Sequence, residues 1–330
     1  MRPFITLLYV LLFPLSAGSQ TVPENEVIPL PGHQVSFQSN GHEKTRWHYG
    51  PEYPRPFFFP FTGPSGANLT RIGHPGAPNH DHHRSVWFAH HKVNGHNFWA
   101  DTEGTQIRQK QWLAYQDGAT EALMATLAGW YSKENVEQME QETITALIPL
   151  PNDEYALEFQ ITFRAPESKT KVELEKTNFG FLAVRVAKTI SEHFGNGTLT
   201  NSEGAISEQQ IFGKPAKWMD YSGPVSTGVG ENRKEVEAGI TFFDHPDNPR
   251  YPTHWHVRRD GWMGASFCMN EGWTITESSP LVLRYLLHSH NGRYDQKSAA
   301  EVAKAFSERP GFQLQHRPEP HLTWGVNRIQ

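Results

Sequence analysis

Apolar and polar residues alternate along much of this chain with a period of two. In "YALEFQITFRA", Tyr155, Leu157, Phe159, Ile161 and Phe163 fall on one side, and Glu158, Gln160, Thr162 and Arg164 on the other. That period places successive side chains on opposite faces of an extended segment and predicts a half-buried β-strand. Similar stretches run from Thr105 to Leu113, Thr120 to Tyr131, Glu142 to Leu150, Lys171 to Ala187, Gly239 to Phe243 and Leu281 to His288. Between them stand clusters such as "LPND" and "GNG", whose residues suit tight turns.

A single helix is expected, near the C-terminus. In "SAAEVAKAFSERPG", Ser298 and Glu301 have capping-box spacing, Val302, Ala303 and Phe306 share one side, and Pro310 with Gly311 ends the segment. Many antiparallel strands with so little helix imply an all-β chain, a large antiparallel two-sheet β-sandwich of supersandwich type with one short helix.

The N-terminal segment "MRPFITLLYVLLFPLSAGSQ" has the layout of a secretory signal: one Arg, an apolar run, then small residues. Residues 1–19 are therefore read as a signal peptide, 20–31 as an extended tether and 32–330 as a single sandwich domain. The expected location is periplasmic or extracellular. No later apolar run is long enough to span a bilayer, so no membrane insertion is expected. The net charge of -5, with Lys and Arg scattered, offers no basic stripe for phosphates and argues against nucleic acid as a partner. The one cysteine, Cys268 in "GASFCMN", reads as a small buried hydrophobe, so the exported fold relies on its core and not on disulfides.

Chemistry concentrates in two places. Seven histidines lie between His74 and His96, where 18 in 330 overall would put about one or two. The loop "GHPGAPNHDHHR" feeds the strand entry "SVWFAH", and loops on rigid sheets are where sites sit. His80 and His82 have the H-x-H spacing that turns two imidazoles to one side, as ligands for a divalent transition metal. Alternatively, His82 or His83 acts as acid or base, with Asp81 fixing its tautomer and Arg84 presenting a donor fork. The plain reading, in which these side chains only brace the loop, stands beside both. The second place, "FFDHPDNPRYPTHWHVR", brings Asp244, His245, Asp247, Arg250, His254 and His256, the last two flanking Trp255. Asp220 and Tyr221 in "KWMDYSG", with Trp218, Arg55, Arg71, Trp47 and Trp99, complete the candidates. Ten tryptophans suit the C–H faces and hydroxyl rims of sugars.

The stretches "NHDHHRSVWFAHHKVNGHNFWAD", "DYSG" and "ITFFDHPDNPRYPTHWHVR" closely resemble the secreted PmoA-like family, commonly labelled "methane oxygenase PmoA", over nearly all of the chain after the signal. The resemblance implies an exported protein of bacteria that degrade polysaccharides, and no particular reaction. Methane oxidation of the particulate type is set aside, because it requires several spanning helices and this chain has a mean hydropathy of -0.60. His91 and Lys92 replace a glycine and an acid usual in that family, and Arg259, Asp260, Gly261 and Trp262 replace a Tyr-Gly pair. A fainter similarity to mutarotase-like supersandwiches implies a sugar on the concave sheet face.

The expected function is thus an exported carbohydrate-active enzyme, a hydrolase, lyase or epimerase. His82 or His83 would move protons, Asp81 would orient them, and Arg84 would grip substrate. Arg71, Asp220, Tyr221, Asp244, Arg250, His254 and His256 would line the pocket. A metal-dependent oxidoreductase using His80 and His82, and a non-catalytic carbohydrate-binding protein, are the alternatives. All three require the two histidine loops to meet.

Overall fold

The structure is a computed structural model that describes residues 22–329 apart from 75, 78 and 79; the expected signal peptide lies outside the described residues. The architecture is all-β. One eight-stranded antiparallel sheet runs, in spatial order, β1 (Asn25–Leu30), β2 (Gln34–Ser39), β3 (His42–His48), β4 (Phe57–Phe61), β5 (Val86–His90), β11 (Gly180–Arg185), β16 (Trp262–Ala265) and β15 (Trp255–Arg258). The other eight-stranded sheet runs β12 (Thr198–Asn201), β13 (Trp218–Thr227), β14 (Lys234–Asp244), β18 (Leu281–Asn291), β9 (Tyr155–Arg164), β8 (Glu137–Pro149), β7 (Ala122–Tyr131) and β6 (Gln106–Gln116). Two ribbons, β10 (Lys171–Leu174) with β17 (Trp273–Thr276) and β19 (Phe312–Glu319) with β20 (Leu322–Arg328), complete the strands. The single turn α1 (Glu208–Ile211) and the longer α2 (Gln296–Glu308) are α-helical.

The sheets face each other through the residues that the alternation marks as apolar. On β9, Phe159 lies 5.6 Å from the rings of both Phe58 and Phe88, Phe163 stacks on Phe181 at 4.4 Å, and Tyr155 meets Phe61 at 5.3 Å. The other face of β9 departs from expectation. Glu158 is completely buried, because helix α2 and the β19–β20 ribbon cover that side of the sheet. There Ile144, Ala146, Leu286, Phe306, Phe312 and Val326 form a second apolar layer. Burial of Glu158 is compensated by Arg284, Arg309 and Arg328, at 2.8, 3.2 and 3.0 Å.

Three local expectations are revised. Helix α2 begins earlier than the Ser298–Glu301 pair implies: Asp295 is its cap, and its carboxylate accepts from the Ser298 backbone N–H at 2.7 Å. The run from Lys171 to Ala187 splits into β10 and β11, which belong to different sheets. The break falls before Gly180, whose φ of +140° and close approach to the Ala89 carbonyl exclude a side chain. Residues 25–30, assigned to a tether, are instead strand β1, hydrogen-bonded to β2 at the sheet edge.

Cross-strand register on the outer face of the first sheet builds the floor of a cavity. His256, Gly264, Ala183 and Trp87 form one row, and Arg258, Trp262 and Arg185 the next. Gly264 and Ala183 are small, and the Trp262 indole lies 3.4 Å from where a Cβ on Gly264 would stand. Large rings from the neighbouring positions therefore fill the space over them.

Candidate functional site

The two histidine loops do meet. A cavity of about 290 Å³ is lined by His80, His82 and His83 from the first loop, by His256, Arg258, Asp260 and Trp262 from the β15–β16 hairpin, and by Trp99, Phe179 and Arg185. Trp262 joins the loops: it stacks near-parallel with His83 at 5.7 Å, and its centroid is 3.9 Å from that of His256. Trp87 stacks on His83 at 5.5 Å, and Phe179 lies parallel to Trp262 at 5.9 Å. The floor (His83, His256, Trp99, Trp262 and Arg185) is buried, whereas the rim (His80, His82, Phe179, Arg258 and Asp260) is partly exposed.

Burial decides the charge state of the floor. His256 is pushed down to about 3 by desolvation, and its Nδ1 lies 2.9 Å from the Asn178 carbonyl oxygen. His83 is pushed further down, by burial first and then by His82 and Arg185. Both imidazoles are neutral at physiological pH, so neither carries the imidazolium proton that the acid half of the acid-or-base role expected of His83 would use. His80 at the rim is lowered more modestly, by burial and by His74.

Asp260 is the carboxylate at this site. Its Oδ1 accepts from Arg185 at 2.8 Å, and its Oδ2 lies 3.2 Å from Arg185 and 2.8 Å from His74 Nε2. Burial alone would raise its pKa, but Arg185 and His74 outweigh that effect and hold it below the ordinary carboxylate value. Asp260 occupies the hairpin turn before Gly261, whose φ is +99°. It thereby ties the histidine loop, strand β11 and the hairpin together. The sequence pattern marks neither Asp260 nor Arg185 as a site residue.

The other candidates divide. Asp81 is exposed and outside the cavity lining, so the tautomer-fixing role assigned to it has no geometric support. Arg84 is paired with Asp101 at 2.6 Å and is likewise outside the lining. Arg55 meets the same Asp101 at 3.0 Å. Arg71 borders the site, donating to the Asp260 backbone carbonyl at 2.6 Å. Tyr221 supports the hairpin from behind by donating to the Arg258 and Arg259 carbonyls, both at 3.1 Å.

Four expected lining residues lie elsewhere. Asp220 is buried on the far sheet, where it accepts from Thr241 at 2.8 Å and pairs with His290 at 2.7 Å. Asp244 braces its own loop, accepting from Asn248 at 2.7 Å and the Thr253 backbone N–H at 2.8 Å, and burial raises its pKa to about 7. Arg250 donates to the Phe267, Glu271 and Gly272 carbonyls. His254 sits beside Asn270, because β15 starts only at Trp255, whose indole turns into the core and donates to the Ala216 carbonyl at 2.8 Å. The His80 and His82 rings stack at 5.8 Å, and among the described residues no group of three His, Cys, Asp or Glu side chains is placed to hold a metal ion. Among the same residues no helix is long and apolar enough to cross a membrane.

A family model matches residues 34–304, which include every residue of this cavity. The chain belongs to that family, a family of unknown function (DUF6807). No curated protein matches this DUF6807 member. Among solved structures it is similar to a putative kojibiose phosphorylase from human microbiome, at 8% identity and a TM-score of 0.30. That match covers 86% of this chain and 36% of the other, so the chain spans little more than a third of that structure's length.

Proposed function

We propose that this DUF6807 chain is an exported carbohydrate-active enzyme that holds one sugar unit in the histidine–tryptophan cavity and acts on it by proton transfer. The observation carrying this reading is a floor of packed rings, Trp262 with His83 and His256, edged by Phe179 and by the polar and charged groups of the rim. Flat aromatic faces suit the C–H face of a sugar, and polar groups at their edges suit its hydroxyls. The volume of about 290 Å³ lies at the lower end of small-molecule sites, roughly 300–1,000 Å³, which favours a single ring over a longer ligand.

The proton-moving group on this reading is His82. It stands at the partly exposed rim, its ring 4.3 Å from that of His83, with Arg55 donating to its backbone carbonyl at 3.4 Å. The His82 ring is at the open edge of the cavity, where it can reach a bound sugar, whereas burial keeps His83 and His256 neutral, and they supply shape and hydrogen bonding. Asp260, ionised against Arg185, supplies the fixed negative charge.

The test is a panel of mono- and oligosaccharides scored for binding, anomer exchange, released reducing ends and unsaturated uronates. Trp262→Ala is expected to lose binding, and His82→Gln to keep binding while losing turnover. Binding without turnover anywhere on the panel would leave a carbohydrate-binding protein; silence on every readout would reject the sugar reading. A stoichiometric transition metal, lost on His80→Ala or His82→Ala, would replace proton transfer with metal chemistry.

A further inference from the structure

Guanidinium groups outnumber carboxylates on both flanks of the cavity. On one flank Arg55 and Arg84 share Asp101, at 3.0 and 2.6 Å. On the other, Arg185 takes the Asp260 carboxylate, and Arg71 reaches only the backbone carbonyl of the same residue. Among the described residues, each flank thus sets two of these cations against one anion. Arg55 and Arg185 are buried, at 1% and 0% exposure. The Nε atoms of Arg55, Arg71 and Arg185, with one terminal nitrogen of Arg71, have no hydrogen-bond partner among the described residues. The arginine at the rim, Arg258, is matched by Glu208 at 2.8 Å. The other acids nearby, Asp81 and Glu103, are exposed, where water screens them. The same excess of positive charge helps keep His80 and His83 neutral, Arg185 acting on both.

Uncompensated charge beside a cavity is expensive unless something else compensates it. A planar guanidinium is matched best by a carboxylate or another oxyanion. Resting on the sugar reading, we infer that the ligand of this cavity is an anionic sugar, whose negative charge offsets part of the arginine excess around the histidine loop. A uronate carboxylate and a sulfate ester share this chemistry.

The test compares, on the wild-type protein, equilibrium binding of glucuronate and galacturonate with their methyl esters, with glucose and galactose, with the 6-sulfates, and with glycolate as an anion lacking a sugar ring. The expected result is that the uronates or the sulfates bind about tenfold or more tightly than the esters and neutral sugars, with the advantage shrinking as salt rises. Whichever anion binds more tightly identifies the group. Arg71→Gln is expected to reduce the ratio of acid to ester affinity; should that variant fail to fold, the wild-type comparison decides alone. Esters or neutral sugars binding as tightly as the acids would overturn the inference and leave the sugar reading standing. Glycolate binding with no sugar bound would uphold the charge argument and remove the sugar. No binding by any member would remove both.

Discussion

Asp260→Asn is the sharpest probe of how the two loops are held together. The substitution keeps the shape of the side chain but puts an amide where Arg185 and His74 both direct N–H groups. At least one donor then faces a donor, and Arg185, fully buried, loses its counter-charge. Breaking a buried ion pair by removing one partner costs about 3–5 kcal/mol. Asp260 is itself 24% exposed, so water offsets part of the loss and the lower end, about 3 kcal/mol, applies. Roughly 300 ordered residues at about 2 cal/mol/K each give an unfolding entropy near 0.6 kcal/mol/K, so Tm should fall by about 5 °C.

Differential scanning calorimetry at neutral pH, paired with urea titration, measures this directly. Asp81→Asn, on an exposed carboxylate of the same loop system, serves as the control and should stay within about 0.5 kcal/mol of wild type. The pH dependence carries a further check. The folded Asp260 carboxyl is held below its unfolded value, so its contribution is fully present above about pH 5 and is lost as pH falls through the folded pKa. The gap between wild type and variant should therefore narrow in acid and persist through neutrality. A variant melting within about 1 °C of wild type at pH 7 would refute the reasoning, because Arg185 would then be compensated by something other than Asp260.

The remaining predictions concern the core and the floor of the cavity. Glu158→Gln leaves Arg284, Arg309 and Arg328 facing a neutral amide in a buried site and should cost about 3–5 kcal/mol, with hydrogen exchange in β19–β20 accelerating first. Burial pushes the Cys268 thiol up to about 12, so a thiol reagent at pH 8 should label the native chain negligibly and the denatured chain completely. His83 is neutral across the working range, so His83→Gln should leave the acidic limb of a measured pH–rate profile in place even where turnover falls; a limb that moves would mean His83 titrates in function.

The two-sheet sandwich was legible because alternation is a local property of the chain. The apolar face of β9 could be read residue by residue, and it does meet the opposite sheet. The burial of its polar face could not, since α2 and the β19–β20 ribbon, more than a hundred residues later, create it. The same division governs the site. Imidazole density marked the loop from His74 and the strand at His256, and both reach one cavity. Asp220 and Asp244 looked equally good, because a carboxylate that braces Thr253 or pairs with His290 has the same local sequence signature as one facing a ligand.

Asp260 and Arg185 escaped for complementary reasons. Asp260 stands in "RRDG", which reads as ordinary turn chemistry, and Arg185 is one residue in the otherwise apolar run "GFLAVRVA". That run nevertheless carries the stronger signal. A histidine can be buried at modest cost by remaining neutral, as His83 and His256 do, but a guanidinium cannot shed its proton in the physiological range and must find an anion. An arginine inside an apolar strand therefore demands a carboxylate across the fold, and the acid that answers it, wherever it lies in the sequence, is fixed in place. In this fold that acid is Asp260, and the cavity forms around the pair because the pair cannot be moved without exposing or orphaning the charge.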